Sequence, residues 1–94
     1  MAAEGKKPYY QAAQFYYDYN LDLNQAITWI DAAIKANPTA YPFYYHKATF
    51  LAKLGDKAGA EAVAKQSMEM ARKGDEPERS EYLRLNQALL DSLK

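Results

Sequence analysis

The sequence predicts an all-α fold, a helix-turn-helix array of two units closed by one further helix, five helices in all. Two observations carry that prediction. Apolar residues recur at helical spacing between turn residues at Asn20, Asn37-Pro38, Gly55 and Gly74. Sliding the chain against itself by thirty-four residues also aligns Pro8 with Pro42, Tyr10 with Tyr44, Asp22 with Asp56 and Ala26 with Ala60. A fixed period of that length is how a stack of helix pairs writes itself into a sequence.

The stretch Asp22 to Pro38 is the clearest element. Ala26, Ile27, Ile30, Ala33 and Ile34 fall on one helical face, Asp22 stands where a capping side chain belongs, and Gln25 follows three positions later. Ala26 and Ala33 lie two turns apart, small enough to let a neighbouring helix come close. The helix is expected from about Leu23 to Ala36, with Asn37-Pro38 stopping it. Residues 1–7 read as a flexible lead-in to a single domain over 8–94, with units at 7–40 and 41–74 and a capping helix at 77–93.

Pro8 suits the first turn of a first helix, where its missing N–H has no partner to lose, and Tyr10, Ala13, Gln14 and Tyr17 form one face up to Asn20. A third helix is expected from about Ala40 to Leu54, with Pro42 in its opening turn. Gly55 supplies the left-handed residue that closes it, and Asp56 caps a fourth helix from about Lys57 to Lys73. After Gly74 the acidic Asp75-Glu76-Pro77 restarts the chain into a fifth helix ending near Leu93.

Composition excludes several classes of function. Ninety-four residues make one small domain with a thin core. Twelve basic and twelve acidic residues cancel, so neither the basic stripe of a nucleic-acid binder nor a polybasic membrane contact is expected. No cysteine is present, which removes disulfides, thiolate zinc sites and thiol catalysis. No apolar run approaches the ~20 residues of a membrane span, and Met1 to Pro8 lacks the apolar core of a signal peptide. The chain as given is therefore expected to be soluble and unexported, cytoplasmic if complete.

The two units resemble tetratricopeptide repeats. The first reads Tyr10-x2-Ala13-Gln14-x2-Tyr17, then Ala26-x3-Ile30, Ala33 and Pro38; the second reads Tyr44-x2-Lys47-Ala48-x2-Leu51, Gly55-Asp56, Ala60-x3-Ala64 and Ser67. The departures are Lys47 in place of a leucine, Leu21 in place of the inter-helix glycine, and Arg72 in place of the closing proline. Four extra residues bring Tyr82, Leu85, Asn86 and Leu89 of the last helix onto the same frame as a partial third unit. The resemblance implies a right-handed solenoid that binds a protein partner, a peptide or a helix, in its concave groove without catalysis or cofactor. The order of features over residues 10–90 also resembles a group of bacterial proteins in which such repeats follow a β-rich domain of unknown function, which would make the chain a C-terminal piece of a longer protein.

Within that frame Tyr10, Tyr17 and Tyr44 are expected to pack between helices. Gln11, Phe15, Tyr19, Tyr45, His46, Thr49 and Lys53 fall where the resemblance places the groove lining. Exposed aromatic rings there would give a partner large contact area at low entropy cost. Packing of these rings on the chain's own capping helix is the competing expectation. Gln11, Phe15 and His46 replace the Lys and Asn clamp by which some relatives hold a peptide carboxylate, so that mode is not expected. His46 is the only histidine, and no spacing supplies it with a catalytic or metal-binding companion. The acidic run Asp75, Glu76, Glu78 and Glu81 lacks the glycine-centred loop of an EF-hand and contains Pro77. No catalytic, cofactor or metal residue is assigned. Leu83 and Leu90 widen the last helix beyond the stripe Tyr82, Leu85, Leu89 and Leu93. They make self-association, as a homodimer through that helix, or packing on another domain, the alternative to groove binding.

Overall fold

The structure, a computed structural model, describes residues 9–19 and 21–93. Among these residues it contains five helices and no strand: α1 (Tyr9–Asp18), α2 (Leu23–Ala36), α3 (Tyr41–Leu54), α4 (Lys57–Arg72) and α5 (Glu78–Ser92). Each helix packs on the next, and α5 also touches α3. This is the all-α repeat architecture the thirty-four-residue period predicts. The lead-in, Pro8 and Asn20 lie outside the described residues, as does the side chain of Tyr10.

The turns follow from local chemistry. Asp22 accepts from the N–H groups of Asn24 at 3.0 Å and Gln25 at 3.4 Å, which satisfies donors that the first turn of α2 leaves without a carbonyl. Its repeat counterpart Asp56 accepts from Gly59 N–H at 2.9 Å and does the same for α4. At the end of α3, Gly55 takes φ +92° while its N–H reaches Ala52 O and the N–H of Asp56 reaches Leu51 O. Those are the two crossed hydrogen bonds of a left-handed helix stop. Gly74 serves close approach instead, since a Cβ there would stand 2.7 Å from Cε2 of Tyr41. Pro77 heads α5 without a side-chain cap, and Glu76 takes over: its carboxylate accepts from the Ser80 N–H at 3.0 Å, the Ser80 hydroxyl at 2.7 Å and the Arg79 guanidinium.

The core is narrow and built on small residues. Ala13, Ala26, Ile30, Ala33 and Phe50 form its buried cluster, with Tyr16, Tyr17, Ile27, Trp29 and Phe43 packed around it. Ala26 and Ala60 are both fully buried, as the repeat alignment requires. Phe50 corrects the frame at one point. The pattern puts Leu51 on the packing position, yet Phe50 is the largest fully buried side chain, its ring 4.9 Å from Tyr17, while Leu51 is half-buried. Tyr44, expected between helices, is half-buried and donates its hydroxyl to Pro38 O at 2.9 Å.

Three helices are joined by a buried polar chain. The Ser67 hydroxyl of α4 donates to Tyr41 O of α3 at 2.9 Å, and the Asn86 amide of α5 donates to Ser67 Oγ at 2.9 Å and to Tyr82 O at 2.8 Å. Both side chains are fully buried. A buried donor without a partner costs about 1–3 kcal/mol, so this chain ties α5 to one register on α4. Lys47, the residue standing where leucine is usual, is accommodated by a 2.7 Å ion pair with Asp31 of α2, so the seam between the units is partly charged.

Candidate partner groove and the family of the chain

The groove residues come from one face of α1 and one of α3. Phe15 on α1 and Tyr19, one residue past its end, are the most exposed large apolar side chains among the described residues, at 53% and 65%. Their rings lie 4.6 Å apart, and Tyr16 meets Phe15 edge-on at 6.3 Å. An exposed pair of touching aromatic rings leaves contiguous apolar area in water, the kind of surface that partners cover. Gln11, at the start of the same face, is exposed.

On α3 the expected lining is divided. Lys53 is exposed and holds its ammonium 4.6 Å over the Tyr17 ring, a cation–π contact that joins α3 to α1. Thr49 donates its hydroxyl to His46 O at 2.7 Å, which fixes it against its own helix. Tyr45 is half-buried, packing edge-on against Tyr82 of α5 at 5.7 Å and against His46 at 5.4 Å. Tyr45 therefore touches the capping helix through Tyr82. Tyr82 is the contact that a reading of the groove positions alone misses, although its place on the large position of the partial unit marks it as an inward residue.

Electrostatics divide the same residues. Burial lowers the His46 pKa below its ordinary 6.5, with Asp18 opposing. Burial raises the Tyr45 pKa, with a further push from Tyr17. At the far edge, burial raises that of Tyr41, and the carboxylates Glu78, Asp75 and Glu76 add to it. Among the described residues no group of His, Asp and Glu is arranged to hold a metal ion, and no helix is long and apolar enough to cross a membrane.

Leu83 and Leu90 of α5 are half-buried. Leu90 shares a cleft with Glu61 and Lys65 of α4, so it stands at the α4–α5 junction rather than clear of it.

No curated protein and no solved structure matches the chain significantly. Nothing in the comparisons points to the bacterial group with the β-rich domain. Residues 7–84 match the family model described as N-terminal acetyltransferase A, auxiliary subunit, a match that takes in both helix pairs and the first half of α5; the chain belongs to that family.

Proposed function

We propose that the chain is a non-catalytic protein-interaction module of tetratricopeptide type, which receives a partner segment on the face carrying Gln11, Phe15, Tyr19, His46 and Lys53. The single observation that carries this reading is the exposed, touching pair Phe15 and Tyr19. The pair offers apolar area, Gln11 one turn earlier and Lys53 over the Tyr17 ring are exposed donors, and Tyr45 and Thr49 are held by Tyr82 and the His46 carbonyl. Interfaces concentrate their energy in such aromatic anchors with polar groups around them. The family description supports a role beside an N-terminal acetyltransferase, in which this chain supplies contact and the partner supplies the chemistry.

The test uses isothermal titration of the chain with the catalytic subunit of an N-terminal acetyltransferase, followed by amide-shift mapping. The expected result is saturable binding whose footprint includes Phe15, Tyr19 and Lys53, weakened at least tenfold, or about 1.4 kcal/mol, in the double variant Phe15→Ala, Tyr19→Ala. A footprint that avoids α1 overturns the groove reading. Sedimentation of the chain alone decides the competing self-association: a dimer that Leu83→Glu with Leu90→Glu converts to monomer would put the interface on α5 instead.

A further inference from the structure

Where α4 ends and α3 begins, a cleft of about 390 Å3 is lined by Thr39, Tyr41, Met70, Lys73 and Gly74, none of them a residue of the aromatic groove. We propose that this cleft receives an arginine side chain of a partner protein, its stem on Met70 and the Tyr41 ring and its guanidinium donating to the Tyr41 hydroxyl.

The hydroxyl is where the case begins. Tyr41 is 9% exposed, its carbonyl is taken by Ser67 and its ring packs edge-on against Tyr82 at 5.7 Å, yet among the described residues its hydroxyl has no hydrogen-bond partner. A polar group held that deep gains from a ligand that pairs with it. Gly74 puts the oxygen on the cleft wall: a Cβ there would stand 3.0 Å from it, so only a bare Cα leaves the hydroxyl its place beside a residue that lines the same cleft.

The sign of the ligand follows from the charges around that oxygen. Glu78, Asp75 and Glu76 all act on it, with Arg79 opposing. Glu76 and Arg79 are spent on each other, at 3.1 and 3.2 Å, and Glu76 on Ser80 as well. What is left is Asp75 and Glu78, exposed carboxylates whose side chains make no hydrogen bond or ion pair among the described residues. Lys73, on the cleft wall, is one opposing charge against two. The surplus is negative, and a cation is what complements it. Of the protein cations a guanidinium fits better than an ammonium, because it is planar and weakly hydrated, lies well on an aromatic or apolar wall, and presents several N–H donors at once.

The probe is N-acetyl-arginine methylamide, titrated into the intact labelled chain while amide shifts are followed, with N-acetyl-glutamate methylamide as the anionic counterpart. The expected footprint of the arginine probe is Met70, Lys73, Gly74 and Asp75, and the glutamate probe should leave these residues unmoved. Tyr41→Phe, which removes one oxygen and keeps the ring, should weaken the arginine probe about tenfold. Asp75→Asn with Glu78→Gln should weaken it about fivefold, and Lys73→Gln should tighten it. These three positions are on the surface, so they test the site even if the phenylalanine variant does not fold. Absent shifts, a footprint on α1, binding that survives both the Tyr41 and the carboxylate variants, or weaker binding in Lys73→Gln overturn the proposal. So does a glutamate probe that shifts the same residues, since the cleft would then be an anion site.

Discussion

Gly55 sits at φ +92° with nothing within 4 Å of where a Cβ would stand, so its requirement is backbone conformation alone. Alanine there should cost about 1 kcal/mol, the penalty of the left-handed region for a residue with a side chain. Urea denaturation reads it, and an unchanged midpoint would remove the backbone argument. Glu76 is the other residue whose chemistry is local. Hydrogen bonds from the Ser80 hydroxyl, the Ser80 N–H and Arg79 lower its pKa below 4.5. A carboxyl with a depressed folded-state pKa contributes stability that is present above the unfolded value and is lost as pH falls through the folded value. The acid limb of the stability curve should therefore flatten in Glu76→Gln, and parallel limbs for the two chains below pH 4.5 would show the contacts to be idle. Gly55 could be read from the sequence because left-handed backbone favours one residue type. The Glu76 contacts could not, because a neighbouring Asp75, Glu78 and Glu81 offer the same chemistry and only the turn geometry chooses among them.

The helices themselves were legible almost to the residue, α2 from Leu23 to Ala36 included, because caps, prolines and apolar period all act within one or two turns. Which side chain fills the space between helices was less so. Phe50 rather than Leu51 reaches the centre, and its aromatic partner Tyr17 comes from a helix more than thirty residues away, a relation that spacing within α3 does not contain. Asn86 is a similar case: polar in sequence and fully buried in structure, its amide N–H groups donate to Ser67 Oγ and Tyr82 O while its Oδ1 is buried without a hydrogen-bond partner. Two polar residues at positions usually small, Ser67 and Asn86, were the available sign of a matched pair. At this scale the helix crossings make the prediction. Leucine at Ala26 or Ala60, both fully buried, should overpack and cost about 1–3 kcal/mol. If thermal melts of both variants coincide with that of the parent chain, the crossings are not where the alanines are.

Across the molecule, the candidate groove was legible in its α1 half and not in its α3 half. Phe15 and Tyr19 are exposed among the described residues, whereas Tyr45 meets α5, whose path depends on the four-residue offset before it. The seam between the units has a wider consequence. Lys47 meets Asp31 across it at 2.7 Å, and the thirty-four-residue equivalents of these two positions are Ala13 and Lys65. Duplicating the first unit would set Asp31 against an alanine; duplicating the second would set Lys65 against a lysine. Only the native succession brings opposite charges together, so a chain with residues 41–74 in tandem should melt below one in native order, by a margin that shrinks as salt screens the lysine pair. Equal midpoints at low salt would count against this. The units share a shape and are nevertheless not interchangeable: one ion pair gives the array a reading direction.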